Sequence, residues 1–130
     1  FRGISKYYNR YNNMTALTKD FMNTMEEVSG KNLQYFFDQW IFSPGYPIIK
    51  FEQNWIPKNN EKGKMIITIN QTQKNKWPIF IFESELCWDD NKCIPVKVDQ
   101  KTQSFEITSH IKPDSIYMDP ENWILMDVQN

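Results

Sequence analysis

Apolar residues recur at two different spacings along this chain, and the change from one to the other falls near residue 43. Before that point apolar side chains lie three or four positions apart, which places them on one face of a helix. Three groups show this spacing: Ile4, Tyr7, Tyr8 and Tyr11; Phe21, Met25 and Val28; and Leu33, Phe36, Phe37 and Trp40. The spacing predicts three short helices.

Residues that favour helix ends support these helices. Thr18 is predicted to be the N-cap of the second helix, with Asp20 in its first turn, where a negative charge interacts favourably with the helix dipole. Gly30 is predicted to end that helix in the left-handed conformation. Pro44 and Gly45 are predicted to end the third helix just beyond Trp40.

After residue 43 apolar residues alternate with polar ones, as in strands that have one buried face. The alternating sets are Ile49, Phe51 and Trp55; Met65, Ile67 and Ile69; Phe80, Phe82, Leu86 and Trp88; Ile94, Val96 and Val98; Phe105 and Ile107; Ile116 and Met118; and Ile124 and Met126. Turn-forming residues separate them at 57–60, 76–78, 89–91, 99–101, 112–114 and 119–122. The pattern predicts about seven strands.

Short strands without intervening helices are typical of an antiparallel sandwich of immunoglobulin-like size. The Cys, Trp, Cys spacing of true immunoglobulin domains is absent from this sequence. The prediction is therefore an α+β chain, with a helical segment over 1–43 and a sandwich over 44–130. The boundary is placed at Ser43-Pro44-Gly45-Tyr46-Pro47.

Composition excludes several classes of protein. The chain has 130 residues, with 15 Lys and Arg against 16 Asp and Glu, so it lacks the basic excess of nucleic-acid binders. Its mean hydropathy is −0.65 and it has no apolar run of about 18 residues, which argues against a membrane-spanning helix. It begins with Phe and shows no secretory signal pattern, so we expect a piece of a longer protein.

Candidate catalytic groups are few. His110 has no nearby partner in the sequence to orient it, and is interpreted as a surface residue. The pairs Glu26-Glu27 and Asp89-Asp90 are neighbours that should point apart, whereas glycosidase chemistry needs carboxylates facing each other across a cleft. A single His and two Cys supply too few ligands for a self-contained structural zinc site. We therefore expect no catalytic, cofactor-binding or metal-binding residue in this chain.

Four tryptophans, Trp55, Trp77, Trp88 and Trp123, suggest an alternative function, because sandwich domains can stack sugars on exposed aromatic rings. Trp55 and Trp88 share the apolar parity of their strands and are predicted to be buried. Trp77, beside Pro78, is the candidate for exposure. The alternative hypothesis is a binding module that recognises carbohydrate or protein through Trp77 and its loops.

Two cysteines flank a predicted hairpin. If Asp89-Asp90-Asn91 forms a three-residue loop with Asn91 left-handed, Trp88 pairs with Lys92 and Cys87 lies opposite Cys93. Strand parity then places Cys87 outward, with Glu83 and Glu85. A disulfide is within reach and would indicate a periplasmic or extracellular location, whereas two reduced thiols would fit the cytoplasm. The sequence leaves both possibilities open.

The segment from Phe1 to Phe51 resembles the aminopeptidase N family of zinc metallopeptidases (gluzincins). The resemblance is carried by several motifs in order: Phe1, Gly3-Ile4 and Tyr7; Thr18, Asp20 and Phe21; Ser29-Gly30-Lys31 and Leu33; Phe37, Gln39 and Trp40; and Pro44-Gly45-Tyr46-Pro47. Gln71-Thr72-Gln73 and Asp119-Pro120-Glu121-Asn122-Trp123 are similar to motifs of the family's sandwich domain.

This resemblance implies a role as well as a fold. Residues 1–43 would be the last helices of a thermolysin-like catalytic domain and 44–130 its immunoglobulin-like sandwich, which supports the catalytic domain. The family's HExxH helix, distant Glu ligand and catalytic tyrosine would lie upstream, so zinc belongs to the parent enzyme and not to this fragment. The implied partners are the missing N-terminal and catalytic domains and, through the parent, peptide substrates. Because the chain stops soon after Trp123, the parent is expected to resemble the shorter members, which lack a large helical C-terminal domain, unless the sequence is truncated.

Aromatic residues are concentrated in the helical segment. Of the 20 aromatic side chains, 11 lie at or before Tyr46. Three short helices cannot cover that much apolar surface by themselves, because small cores are marginal. We therefore expect part of this surface to remain exposed unless a neighbouring domain covers it.

Overall fold

The computed structural model of the chain describes residues 1–58, 62–89 and 92–129. The chain divides into two compact units, the helical unit Phe1–Ser43 and the sandwich unit Pro44–Asn130. Four predicted turn residues lie outside the described residues, namely Asn59, Asn60, Asp90 and Asn91. The predicted left-handed conformation of Asn91 is therefore not described.

The helical unit contains α1 (Arg2–Tyr11), α2 (Thr18–Ser29) and α3 (Gln34–Phe37), which continues as a π-helical turn (Asp38–Phe42). Aromatic rings connect the helices. Tyr7 meets Phe21 edge to face at 5.0 Å between centroids, and Phe21 meets Phe37 at 6.1 Å. Such contacts stabilise a pair beyond the burial of its area. Phe37 and Met22 are buried in this unit.

The ends of α2 differ in part from the prediction. Thr18 is the first helical residue, so its assignment as the N-cap is wrong; the N-cap is Leu17, in extended conformation. The cap interaction comes from inside the helix, because the Leu17 N–H donates to the Asp20 carboxylate at 2.9 Å. Gly30 ends the helix with φ 66°, which confirms the predicted left-handed C-cap.

The described part of the sandwich unit contains seven strands: β1 (Ile48–Ile56), β2 (Gly63–Gln71), β3 (Phe82–Trp88), β4 (Lys92–Val98), β5 (Thr102–Ser109), β6 (Ile116–Met118) and β7 (Asp127–Gln129). They form one sheet in the order β5-β2-β1-β7 and another in the order β4-β3-β6. The pairs β1–β2, β2–β5, β3–β4 and β3–β6 are all antiparallel.

Alternation of buried and exposed residues explains why this part of the chain forms sheets. In β2 every second residue from Gly63 to Gln71 is buried. The core takes side chains from both sheets: Ile49, Met65, Ile67, Ile69 and Ile107 from one, and Phe82, Leu86, Trp88, Val96, Val98 and Met118 from the other. The predicted fold class, α+β with about seven strands in a sandwich-like arrangement, is confirmed.

The last strand is the main departure from the predicted pattern. Ile124 and Met126 precede β7, whose three residues are all exposed. β7 pairs with β1 in parallel, Ile49 lying opposite Val128, so one of the two sheets is mixed. Because β7 buries no alternate side chains, the hydrophobic pattern carries no signal for it. Phe80 is fully buried but precedes β3 and is not part of it.

The helices are short, and α2 has 12 residues. Within residues 1–58, 62–89 and 92–129, no helix is long and apolar enough to cross a bilayer.

Candidate functional site

The β3–β4 hairpin brings the two cysteines together. Cys87 lies directly opposite Cys93 and Trp88 opposite Lys92, which is the predicted register. The two sulfur atoms are joined in a disulfide, and the Cα atoms of the two cysteines are 4.1 Å apart. Of the two alternatives that the sequence left open, the structure therefore contains the disulfide.

The environment of Cys87 differs from the prediction. Parity places it on the face of Glu83 and Glu85, both exposed, yet Cys87 is completely buried. The reason is that β3 is the central strand of its sheet, so that Cys87 has Cys93 on one side and Tyr117 of β6 on the other. Neighbours across both ladders cover the sulfur where strand parity alone predicts exposure.

Glu85 completes a group of potential metal ligands with these cysteines. A carboxylate oxygen of Glu85 and the two sulfur atoms all lie within 4.8 Å of one another. Glu85 is exposed, Cys93 half-buried and Cys87 buried, so the group is open to solvent on its Glu85 side. In the part of the chain that the structure describes, these are the His, Cys, Asp and Glu side chains grouped closely enough to hold an ion.

His110, which is predicted to be a surface residue, does not belong to the sheet that carries Glu85 and the two cysteines. His110 is exposed and follows β5, which belongs to the four-stranded sheet, whereas the cysteines belong to the three-stranded one. The strand order therefore does not place the His110 imidazole next to the two cysteine sulfur atoms.

The adjacent carboxylates of α2 have separate structural partners. Glu26 accepts a hydrogen bond from the Leu33 N–H at 2.7 Å. Glu27 accepts from Lys6 and, at 2.9 Å, from Arg10, both on α1. These two hydrogen bonds hold the pKa of Glu27 below its ordinary value. The pair thus stabilises the helical unit, and its carboxylates do not face each other.

Asp89 also has a structural contact. Its carboxylate accepts a hydrogen bond from the Asp114 N–H at 2.9 Å, and its own N–H donates to the Ser115 carbonyl at 3.2 Å. These bonds join the end of β3 to the segment that precedes β6. Asp90, its predicted neighbour in the loop, lies outside the described residues.

The tryptophans follow the predicted exposure only in part. Trp88 is buried, as predicted, whereas Trp55 is half-buried. Trp77 is half-buried: its ring contacts that of Tyr46 at 5.7 Å between centroids, and the Lys74 ammonium lies 5.6 Å from its centre. Trp123 is the exposed one, at 83% of its full accessibility. The prediction of Trp77 as the exposed platform is therefore wrong, because residues of the 44–47 segment pack against it.

Trp123 borders an open cleft of about 360 Å³. The lining residues are Glu83, Ser84, Glu85, Asp119, Pro120, Glu121, Trp123 and Ile124. The exposed side chains among them combine three carboxylates with one aromatic ring. An aromatic face beside carboxylates is suited to contact with cationic or hydroxyl-rich groups.

Asp119 holds the loop that carries Trp123. Its buried carboxylate accepts hydrogen bonds from the backbone N–H groups of Trp123 and Ile124, at 3.0 and 2.7 Å. Its own N–H donates to the Glu85 carbonyl at 3.1 Å, and its φ of 54° is left-handed. The Asp119-Pro120-Glu121-Asn122-Trp123 motif is thus a turn whose geometry depends on its first residue.

Sequence reasoning missed a second buried polar network, centred on Gln71 and Gln73. Gln71, 1% exposed, accepts from the Phe80 N–H at 2.9 Å and donates to the Phe80 carbonyl at 2.8 Å. Gln73 donates to the Gln71 side chain at 2.9 Å and to the Pro78 carbonyl at 2.8 Å. The two amides satisfy the backbone of the segment that leads into β3. The sequence did contain a signal for this network, because polar residues occupy positions that the alternation along β2 predicts to be buried.

Comparison with known proteins gives similarity to aminopeptidases. The chain is 27% identical over 75 residues to Aminopeptidase N of Lactococcus lactis subsp. lactis, a match that covers 49% of this chain and 9% of that protein. It is 28% identical over 119 residues to Probable aminopeptidase 2 of Sulfurisphaera tokodaii, covering 91% of this chain and 14% of that protein. No family model matches the chain.

A solved structure shares the fold. The crystal structure of Legionella pneumophila aminopeptidase A in complex with aspartic acid superposes with a TM-score of 0.69 at 14% identity, over 98% of this chain and 15% of that one. The resemblance to aminopeptidases is thereby confirmed. The chain spans between 9% and 14% of the length of the two curated relatives, so it matches a segment of larger enzymes.

Proposed function

We propose that this chain is the C-terminal part of a zinc-dependent aminopeptidase and that it supports the catalytic domain without taking part in the chemistry. In this proposal residues 1–43 are the last helices of the catalytic domain and 44–130 are the supporting sandwich. The similarity to segments of two aminopeptidases agrees with this proposal. The parent enzyme would remove N-terminal residues from peptides with a zinc-activated water.

The observation that carries the proposal is the apolar surface of the helical unit. Large apolar side chains are exposed at the start of the chain and on α1, and again from α3 to the end of the unit: Phe1, Ile4, Tyr8, Tyr35, Phe36, Ile41 and Phe42. Apolar surface on this scale is typical of a face that packs against another domain. The upstream part of a longer aminopeptidase would supply that domain.

The residues of this chain do not fit the catalytic zinc of such an enzyme. A catalytic site needs three protein ligands, an open position for water and a general base near it. The group at Glu85 has its two sulfur atoms bonded to each other, and His110 follows a strand of the other sheet. The proposal therefore assigns the zinc ligands and the base to the upstream part of the parent.

Point variants in the complete parent enzyme test this role. We expect Tyr8→Asp or Phe36→Asp to lower the melting temperature and the yield of folded enzyme, because each places a charge in the proposed interface. The kcat per folded molecule should be unchanged. Ile111→Asp is the matched control, since Ile111 is also an exposed apolar residue but lies in the sandwich unit.

Two results would contradict the proposal. Equal effects of Tyr8→Asp and Ile111→Asp on the melting temperature would show that the helical surface is not an interface. A fall in kcat at an unchanged melting temperature would indicate that this chain takes part in catalysis or in substrate binding.

A binding module is the second candidate, and the exposure of Trp123 beside the acidic cleft favours it. Trp123→Ala should then abolish binding to a specific glycan or peptide on an array, whereas Trp77→Ala should reduce it only through stability. Failure of every ligand on the array, or equal loss in both variants, would argue against this candidate.

A further inference from the structure

We propose that reduction of the Cys87–Cys93 disulfide creates a binding site for a zinc-like divalent metal ion, formed by Glu85, Cys87 and Cys93. The site would have a structural or redox-sensing role in the sandwich, separate from the zinc of the proposed parent enzyme.

The backbone already places the three ligands. Cys87 and Cys93 face each other across the β3–β4 ladder with Cα atoms 4.1 Å apart, and Glu85 lies two positions earlier on the same face of β3. The carboxylate oxygen and both sulfur atoms lie within 4.8 Å of one another. Zinc bonds of about 2.0 to 2.3 Å to oxygen and sulfur require ligand atoms roughly 3.5 to 4 Å apart. The two sulfur atoms are bonded in the disulfide, so after reduction they have to move apart by rotation of the cysteine side chains, whereas the Glu85 oxygen is already near both.

The donor set selects the class of metal. Two thiolates and one carboxylate favour zinc and cobalt over magnesium or calcium, which prefer oxygen ligands. Glu85 is exposed and Cys93 half-buried, so an ion would approach the group from solvent on this side, where water can serve as the fourth ligand.

Electrostatics favours a cation once the disulfide is open. Cys87 is completely buried, and the nearest ionisable neighbour in the group is the negative carboxylate of Glu85. A buried thiolate beside a carboxylate is unfavourable without a positive charge. A divalent ion supplies that charge to all three ligands at once.

Reduction converts the disulfide form of the hairpin into the dithiol form that binds the metal. A thiol or phosphine reductant supplies two electrons, two protons are taken up, and the S–S bond is replaced by two S–H groups. Metal binding then displaces both thiol protons into solvent and forms two metal–sulfur bonds. In the oxidised chain the two sulfur atoms are neutral and bonded to each other, so neither can become the thiolate that binds the metal.

Titration with Co²⁺ tests the proposal in the 130-residue chain, reduced by a phosphine without oxygen. We expect a thiolate-to-cobalt charge-transfer band that saturates at one ion per chain and is displaced by Zn²⁺. The oxidised chain should show no band. Zn²⁺ should also raise the melting temperature of the reduced chain and leave that of the oxidised chain unchanged.

Glu85→Gln separates this site from adventitious binding to two thiols. It should weaken Co²⁺ binding by about tenfold or more, since even groups that only orient metal ligands contribute about that much. Glu83→Gln is the matched control, because Glu83 is exposed on the same face of β3 and is not one of the three grouped ligands. Its affinity should remain within about twofold of the wild type.

Three results would overturn the proposal: no charge-transfer band in the reduced chain, equal affinities for Glu85→Gln and Glu83→Gln, or an equal band in the oxidised chain. If reduction unfolds the hairpin, cobalt binds flexible thiols and the two glutamate variants behave alike. That outcome also counts against the site, and near-ultraviolet circular dichroism of the reduced chain identifies it.

Discussion

Gly45 lies against the indole ring of Trp77, so closely that a Cβ at residue 45 would overlap ring atoms Cδ2, Cε3 and Cε2. Its φ of 88° is in the region that favours glycine. Two independent requirements, backbone conformation and space, therefore select glycine in Pro44-Gly45-Tyr46-Pro47. The motif thus fixes the entry into the sandwich unit by packing against Trp77.

Gly45→Ala should destabilise the sandwich unit by about 2–4 kcal/mol. The new Cβ would sit on a backbone with positive φ and would also overlap the Trp77 ring. Gly30→Ala is the matched control, because Gly30 has φ 66° but a Cβ added there would meet no described atom within 4 Å. That change should cost only about 1–2 kcal/mol, in the helical unit. Chemical unfolding followed by tryptophan fluorescence measures both, and equal costs would contradict the steric argument.

Gln71→Leu should destabilise the sandwich unit by about 2–4 kcal/mol, because it leaves a buried N–H and carbonyl of Phe80 without their side-chain partner. Thr72→Val serves as the control. Thr72 is exposed and its hydroxyl donates one bond of 3.2 Å to Ile48, so the loss should be within about 1 kcal/mol. Similar losses in urea unfolding would show that the Gln71 network contributes little.

The strands of the sandwich could be predicted because burial is one-sided. In β2, Met65, Ile67 and Ile69 face the core, and intervening residues such as Lys64 and Thr68 do not. The hairpin register could be predicted for a related reason, since parity and loop length together place Cys87 opposite Cys93. Both inferences need only local sequence.

Features set by neighbours distant in sequence could not be predicted. The burial of Cys87 depends on β6, and the turn that carries the exposed Trp123 is tied to β3 by the bond from the Asp119 N–H to the Glu85 carbonyl. The parallel strand β7 buries no side chain and has no periodic signal. Gln71 and Gln73 occupy buried positions as polar residues, and only the path of residues 78–80 shows why.

Acidification should weaken the contact between α1 and α2. The pKa of Glu27 is lowered in the folded chain by hydrogen bonds from Lys6 and Arg10, so its stabilising contribution is present above the unfolded pKa. That contribution is lost as pH falls through the lowered folded pKa. In thermal melts of the helical signal by circular dichroism, Glu27→Gln should reduce the pH dependence below about pH 5.

Glu26→Gln is the control for this prediction, because Glu26 accepts its bond from the Leu33 backbone and not from a cation. High salt should have little effect on the Glu27→Gln chain but should lower the melting temperature of the wild type. A pH profile that is unchanged in Glu27→Gln would refute the role of this ion pair.

The disulfide should be present in protein prepared without reductant. We expect no added mass after alkylation of the denatured chain, and two alkyl groups after prior reduction. The double variant Cys87→Ala/Cys93→Ala should be less stable by about 2 kcal/mol, the chain-entropy value for so short a loop. Two alkylated thiols in the unreduced protein would contradict the structure of the hairpin.

The isolated chain should not cleave peptides. Peptide hydrolysis by a metallopeptidase needs a metal with an open position and a carboxylate base beside it. In the oxidised chain the thiols of Cys87 and Cys93 are bonded to each other, and His110 follows a strand of the other sheet. We therefore expect no turnover of an aminoacyl chromogenic substrate and no stoichiometric zinc by elemental analysis of the oxidised protein. His110→Ala distinguishes a true activity from a contaminating peptidase: chelator-sensitive hydrolysis that co-purifies with the chain and disappears in this variant would show that the chain itself is catalytic.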